Sequence, residues 1–173
     1  TNDSHPKSDL DLLILINDKE GQKLASGFIL DDRQVGYDIY CTSFDGLVWD
    51  SQCHHARISK LLDSKIVYVK NQEAFEKLLK LRDDAAKFLA TDGRFQRVDA
   101  LLDQAKIHFA NANLSEEMGN ARLEAFGVME SLMNAIMLYH GKYFKLGVKR
   151  TFEELSALPL DGSFIDTVKK IVV

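Results

Sequence analysis

The chain has 173 residues, of which 46% are hydrophobic and 28% are charged, and its formal net charge is −4. This balance is typical of one ordinary globular domain or two small ones, and the negative charge argues against a nonspecific nucleic-acid binder, which is usually basic. No apolar run approaches the roughly 20 residues that span a membrane, and Cys41 and Cys53 are expected to be reduced thiols of a cytoplasmic protein.

The first element expected along the chain is a strand that opens with two aspartates. Asp9 and Asp11 flank Leu10, and an apolar run follows to residue 16, which is typical of a strand buried on both faces. Successive side chains of a strand point to opposite faces, so Asp9 and Asp11 share a face with Cα atoms about 6.5–7 Å apart. Two carboxylates at this spacing can converge on one small cation. The alternative is a surface strand that begins with solvated acids.

A third carboxylate lies in the next apolar segments. Residues 23–30 predict a strand, and residues 31–33 predict a hairpin turn into an antiparallel strand that contains Asp38. Asp38 lies between Tyr37 and Ile39, where a carboxylate is costly to bury unless it is paired or binds a metal. Three carboxylates on two adjacent strands therefore predict a divalent-metal site, and such oxygen ligands suit magnesium.

The pattern changes along the rest of the chain from strands to helices. Residues 64–70 predict a last, β-branched strand, and apolar residues then recur at helical spacing from Gln72 to a break at Thr91. Further helices are predicted over residues 95–110, 114–139, 151–159 and 163–172. Expected caps are Asn113 with Glu116, Gly141, and Thr151 with Glu154. The expected fold class is α+β, with a small mixed β-sheet domain over residues 1–90 and an all-α helical bundle over residues 91–173.

Residues 1–13, which end in the Asp9-Leu10-Asp11 strand start, resemble the metal motif of the nucleotidyltransferase superfamily that includes DNA polymerase beta and kanamycin nucleotidyltransferase. That motif is a Gly-Ser turn, a short helix and loop, then Asp-x-Asp opening a strand, with a third carboxylate on a later strand, as at Asp38. The resemblance implies an enzyme that transfers a nucleoside monophosphate from ATP or another nucleoside triphosphate to an acceptor hydroxyl. It also implies a catalytic sheet domain joined to a helical bundle that completes the substrate cleft.

The resemblance assigns roles to individual residues. Asp9 and Asp11 would bind or bridge two Mg²⁺ or Mn²⁺ ions, and Asp38 would complete the site or act as general base, with Ser8 contacting the nucleotide. The family's Gly-Ser pair is not in the printed sequence, and residues 1–8 contain no glycine. Because phosphates are commonly held by backbone N–H groups at such turns, we expect the chain as written to keep its metal carboxylates but to bind ATP poorly. A form with the upstream turn is then expected to be the active species.

The helical half supplies further candidates. The cations of residues 142–150 include Lys145 and Lys149, which are predicted to contact the triphosphate; the alternative is a solvated loop near a helix C-terminus, where the dipole favours cations. Glu124 and Glu130 lie among apolar neighbours on the long predicted helix. Each is a candidate base for the acceptor hydroxyl, and the alternative is that they face solvent or an arginine such as Arg122.

Three functions stay open at this point. The first is transfer to a small molecule such as an aminoglycoside-like antibiotic, and the second is adenylylation of a protein or RNA of the toxin–antitoxin type. The third is a degenerate, non-catalytic protein that binds nucleotides or a partner. A homodimer is compatible with the sequence, whereas membrane and nucleic-acid partners are not expected. Cys53-His54-His55 is attributed to chance because it lacks the paired spacing of zinc ligands.

Overall fold

A computed structural model describes residues 10–16, 25–30 and 35–172. The elements are β1 Leu10–Leu15, β2 Ala25–Leu30, β3 Val35–Thr42, α1 Phe44–Ser51, α2 Ser59–Leu62, α3 Gln72–Ala90, α4 Arg94–Leu114, α5 Met118–Tyr139, a 3₁₀ turn Val148–Arg150, α6 Thr151–Ser156 and α7 Gly162–Val172. Strands come first and helices follow without alternation, which confirms the α+β class. The chain divides into two compact units, residues 1–49 and 50–173. The boundary expected at residue 90 falls inside the second unit.

The strands form one small mixed sheet in the order β1-β3-β2. β2 and β3 pair antiparallel, as the hairpin prediction required, and β1 pairs parallel to β3. β1 is an edge strand of the described sheet, and its apolar side chains are not buried on both faces as the sequence suggested: Leu13, on the face opposite to Leu10 and Ile14, is 37% exposed. Leu10 is 47% exposed and Ile14 is 45% exposed.

The second unit is built on a hairpin of its two longest helices, α4 and α5. The guanidinium Nε of Arg94, at the start of α4, donates to the carbonyl of Tyr139 at the end of α5 (3.3 Å), so the helices run antiparallel. Their buried residues include Val98, Leu101, Ala105, Met129, Met133 and Met137. α5 is thus a core helix over its C-terminal half, where its buried residues lie. Among the described residues, no helix combines the length and the apolar character that crossing a membrane requires.

The strand predicted over residues 64–70 is wrong. Those residues form no regular element, and Val67 and Tyr68 are each 81% exposed. β-Branched and aromatic residues favour a strand only where neighbouring strands and a buried face are available. The last strand of the described chain is β3, which ends at Thr42, so the change from strands to helices comes earlier than the sequence pattern suggested.

Two predicted N-caps are also wrong, Asn113 and Thr151. α4 continues through Asn113 to Leu114, and the Asn113 amide donates to the Phe109 carbonyl (2.8 Å) instead of capping the next helix. Thr151 is already inside α6, and its hydroxyl donates to the Val148 carbonyl (2.8 Å). In both cases the polar side chain bonds back to the preceding turn, an alternative to capping that such residues commonly take.

α5 ends just before Gly141, in the way that the sequence predicted. Gly141 has φ of +63°, and its N–H donates to the Leu138 carbonyl (2.9 Å) while the Lys142 N–H donates to Met137 (2.8 Å). This pair of bonds is the Schellman motif, in which glycine takes the left-handed position. A Cβ at Gly141 would lie 2.8 Å from the Leu89 carbonyl oxygen, so glycine is also required by space.

Candidate metal centre

The sheet brings two of the predicted metal ligands side by side. β1 and β3 are neighbours, and their register sets Asp11 opposite Asp38. Register partners on adjacent strands present their side chains on the same face, with strands about 4.8 Å apart. Asp11 is exposed and Asp38 is half-buried. The two carboxylates therefore share one face of the sheet at neighbouring positions.

The surroundings of this pair suit a cation. On the other side of Asp38, its register partner in β2 is Gly27, which has no side chain to occupy the space beside the carboxylate. Two like charges about 5 Å apart repel by about 1–3 kcal/mol, depending on the solvent screening. A divalent cation between them would replace this repulsion with attraction.

Ser8 and Asp9, the other site residues predicted within residues 1–13, lie outside the described residues. The metal role of Asp9 and the nucleotide contact of Ser8 therefore remain predictions. Within residues 10–16, 25–30 and 35–172, no group of three or more His, Cys, Asp or Glu side chains is arranged to hold a metal. The described part of the candidate centre is the Asp11–Asp38 pair.

The predicted triphosphate contacts belong to the second unit. Lys145 is exposed, with its Nζ 5.4 Å from the centroid of the Tyr143 ring, and Lys149 is exposed in the 3₁₀ turn before α6. The segment is fixed by Glu154, whose carboxylate accepts hydrogen bonds from the backbone N–H groups of Lys145 (2.8 Å) and Leu146 (2.9 Å). Both lysines are accessible to an anion, and their role at a triphosphate remains a prediction.

Both glutamates considered as acceptor bases have partners in the second unit. Glu124 Oε2 lies 2.7 Å from the Nδ1 of His108 and accepts from the Asn111 amide (3.4 Å). Glu130 is paired with Arg57, with Oε1 2.8 Å from Nη2. The expectation of an arginine partner is met for Glu130, although by Arg57 and not by Arg122.

Sequence reasoning missed the network that surrounds this ion pair. The loop of residues 52–58 is fastened to α5, because the Ala56 N–H donates to the Asn134 side-chain oxygen (2.7 Å). The Asn134 amide in turn donates to the Glu130 carbonyl (2.7 Å). The signal available in the sequence was Asn134 itself, a polar residue within the apolar stretch from Leu132 to Met137. A buried amide at such a position needs hydrogen-bond partners.

A second feature that sequence reasoning missed is the buried carboxylate of Asp50, which is 2% exposed. Lys60 Nζ lies 3.2 Å from its Oδ2 and His55 Nε2 lies 3.5 Å from its Oδ1. Within the described part of the chain Oδ2 has no well-aligned hydrogen bond, so the lysine holds it by charge and not by a directed bond. The Arg57 N–H donates to His55 Nδ1 (3.1 Å), which leaves the His55 Nε2 proton facing Asp50. We assign this group to anchoring the loop.

The side chains of Cys53, His54 and His55 do not converge on one point, as the ligands of a metal would. Cys53 is fully buried with φ of +52°, and burial raises the pKa of its thiol to about 11, so the thiol is protonated at neutral pH. His54 Nε2 lies 2.9 Å from the Gln52 side-chain oxygen, and burial lowers the pKa of that imidazole. Its neighbour His55 instead faces Asp50. The three side chains thus engage different partners.

A scan of the sequence against protein-family models found no matching family, and a search of curated proteins found no matching relative. Function is therefore inferred from the residues and their geometry.

Proposed function

We propose that this chain is a metal-dependent nucleotidyltransferase that moves a nucleoside monophosphate from ATP or another nucleoside triphosphate to an acceptor hydroxyl. The observation that carries the proposal is the parallel register of β1 with β3, which pairs Asp11 with Asp38. Asp9 is two positions from Asp11 and is expected on the same strand face. The resemblance of residues 1–13 to the superfamily's Asp-x-Asp motif supplies the reaction class.

The donor set fits a hard divalent cation. Carboxylate oxygens are the preferred ligands of Mg²⁺ and also suit Mn²⁺, and Asp9, Asp11 and Asp38 would hold the ion. When bound, the ion would neutralise the negative charge that develops on the α-phosphate and on the leaving oxygens. Asp38 is the half-buried member of the pair. We assign to its carboxylate either a share in holding the ion or the acceptance of the proton from the acceptor hydroxyl.

The acceptor we propose is a small-molecule hydroxyl, of the aminoglycoside-like kind, because the order of a sheet unit followed by a helical unit is similar to the plan of kanamycin nucleotidyltransferase. Lys145 and Lys149, both exposed, are proposed to contact the triphosphate. Transfer to a protein or an RNA end would use the same carboxylates and differ only in the acceptor.

The first test is metal binding, which does not depend on the acceptor. Mn²⁺ is titrated into the parent chain and into Asp11→Asn and Asp38→Asn variants, with free Mn²⁺ followed by electron paramagnetic resonance. The matched control is Asp45→Asn, which removes an exposed carboxylate from the first turn of α1 in the same unit. We expect each site variant to weaken binding by about tenfold or more, because losing even a hydrogen-bond partner of a metal ligand typically costs that much, and the control to bind like the parent. Equal binding by all four proteins would contradict the proposal.

The second test is transfer. The protein is incubated with ATP, Mg²⁺ and pooled hydroxyl acceptors, and mass spectrometry follows pyrophosphate and the mass increase of one nucleoside monophosphate on an acceptor. ATP is supplied in large excess, because the chain as written is expected to bind it poorly. The expected result is slow, acceptor-dependent pyrophosphate release that Asp38→Asn abolishes. Retained Mn²⁺ binding without any transfer would favour the alternative of a non-catalytic nucleotide-binding or partner-binding protein.

A further inference from the structure

An apolar groove runs along one side of the α4–α5 hairpin. It is open to solvent, has a volume of about 360 Å³ and is lined by Leu102, Ala105, Lys106, Phe109, Val128 and Leu132. Phe109 is 63% exposed and Leu102 is 37% exposed. Large apolar side chains that line a continuous open groove are characteristic of contact surfaces more than of ordinary protein surface.

On the other side of the same hairpin, the chain's own loop contacts both helices. There, Arg97 Nε donates to the Gln52 carbonyl (3.1 Å), and Glu130 pairs with Arg57. At 3.6 residues per turn, these positions of α4 and α5 lie on the flank away from Leu102 and Leu132. The hairpin thus has one flank that its own loop contacts at Arg97 and Glu130, and one flank that carries the apolar groove.

We propose that the open flank is the interface of a homodimer, in which the hairpins of two copies pack face to face. Leu102 and Phe109 are seven positions apart on α4, about two helical turns or 10.5 Å. A two-fold axis that crosses α4 between Ala105 and Lys106 sets Phe109 of one copy opposite Leu102 of the other. Phe109 and the position that it contacts in the other copy then lie on the same surface patch. An interface between two identical surfaces requires this.

The available area agrees with a second copy as the occupant. α4 has 21 residues and is therefore about 31 Å long, and two adjacent helices are about 20 Å wide. Face-to-face packing would bury about 600 Å² on each copy, or about 1,200 Å² in all, the lower end of specific interfaces. A single foreign helix, about 10 Å wide, would cover only half of this face.

The charges on the rim also permit self-association. Lys106 and Asp103 form an exposed ion pair on α4 (2.8 Å), close to the inferred two-fold axis. Each copy carries one cation and one anion there, so the same two side chains can exchange partners between copies. The groove itself is otherwise lined by apolar residues, so no unpaired charge is forced into the contact.

The proposal is tested by sedimentation velocity at loading concentrations of about 1 to 100 μM, the range in which an interface of this size is expected to dissociate. The test variant is Phe109→Asp and the matched control is Leu123→Asp. Leu123 is 68% exposed and nine positions from Leu132, about two and a half turns away, so it lies on the opposite flank. We expect a concentration-dependent dimer, a dissociation constant raised about thirtyfold or more by Phe109→Asp, and no change from Leu123→Asp. A monomer throughout, or equal effects of both variants, would overturn the proposal.

A cross-link keeps the proposal testable if Phe109→Asp fails to fold. Lys106 is exposed and near the inferred axis, so Lys106→Cys is expected to form a disulfide-linked dimer under mild oxidation. Leu123→Cys and the parent, which carries Cys41 and Cys53, serve as controls. A cross-linked dimer in Lys106→Cys alone supports the assignment, and equal cross-linking in all three proteins, or in none, overturns it.

Discussion

Arg57 and Glu130 are 73 positions apart in the chain, yet their side chains meet at two points: Nη2 lies 2.8 Å from Oε1, and Nε lies 3.4 Å from Oε2. Each side chain is 25% exposed, so the pair is partly shielded from solvent. The Arg57 guanidinium also lies over the Phe144 ring, 4.6 Å from its centroid. The pair fastens the loop of residues 52–58 to α5.

The Arg57–Glu130 pair is expected to contribute more stability than an exposed ion pair with the same distance between nitrogen and oxygen. A double-mutant cycle with Arg57→Met and Glu130→Gln should give a coupling free energy of about 1–2 kcal/mol, because the charges are partly desolvated and share two hydrogen bonds. The matched control is Lys77 with Glu73, whose charged atoms are also 2.8 Å apart but whose side chains are 60% and 76% exposed. Its coupling free energy is expected to be clearly smaller, because solvent screens both charges. Urea unfolding of each variant supplies the values. Equal coupling in the two cycles would show that Arg57 holds the loop by packing alone.

The existence of the long helices α3, α4 and α5 could be predicted because their apolar periodicity is local. α3 begins at Gln72 and ends before the break at Thr91, as the spacing indicated, and Gly141 ends α5 in the expected left-handed conformation. The β2–β3 hairpin could be predicted for the same reason, since a short turn separates its two strands.

What could not be predicted depends on contacts between distant segments. Residues 64–70 have strong strand propensity, but propensity does not supply a pairing partner, and the segment stays irregular. The sequence indicated that Asp11 and Asp38 lie on adjacent strands, whereas their parallel register could not be read from spacing alone. The Arg57–Glu130 pair was hidden because either residue, taken alone, is typical of an exposed surface.

The buried thiol of Cys53 should make stability fall at alkaline pH. Burial raises its pKa from an ordinary value of 9.0 to about 11. Between these values the unfolded chain loses the thiol proton and the folded chain keeps it, so the free energy of unfolding should decrease by about 1 kcal/mol per pH unit. Below pH 9 this contribution is fully present and constant, and above pH 11 no further loss is expected.

The measurement for Cys53 is urea unfolding between pH 8 and pH 11 in the parent, Cys53→Ala and Cys41→Ala. Because lysines and tyrosines titrate in the same range, the difference between parent and Cys53→Ala isolates the thiol. The expected result is a shallower decline in Cys53→Ala only, with Cys41→Ala, which alters the half-buried cysteine, parallel to the parent. Parallel curves for all three proteins would show that the buried thiol does not control the decline.

Replacing one carboxylate of the Asp11–Asp38 pair should have opposite effects without and with metal. Without metal, Asp11→Asn removes one of two adjacent like charges and should leave stability unchanged or raise it by about 1 kcal/mol. With Mn²⁺ at about 100 times its dissociation constant, the parent should gain about 2.7 kcal/mol by mass action, and Asp11→Asn should gain much less. Thermal unfolding with and without Mn²⁺ provides the comparison, and Asp45→Asn should behave like the parent. Equal metal-induced shifts in all three proteins would place the bound ion elsewhere.

Two glycines of α5 should respond to alanine with opposite signs. Alanine is intrinsically favoured over glycine inside a helix by about 1 kcal/mol, and a Cβ at Gly119 would meet nothing within 4 Å. A Cβ at Gly127 would instead lie 2.7–2.8 Å from ring atoms of His108, whose Nδ1 is 2.7 Å from Glu124 Oε2. G127A must therefore displace the imidazole and weaken its bond to the carboxylate.

We expect G119A to stabilise the fold by up to about 0.5–1 kcal/mol, and G127A to destabilise it by about 1–2 kcal/mol, the usual cost of overpacking. The double variant H108A/G127A separates the causes, because removing the imidazole removes the clash. Its free energy of unfolding should equal or exceed that of H108A, since the helix-propensity gain then returns. Chemical denaturation of the four variants and the parent gives these differences directly. If G127A were as stabilising as G119A, the packing of His108 over Gly127 would not contribute to the stability of the hairpin.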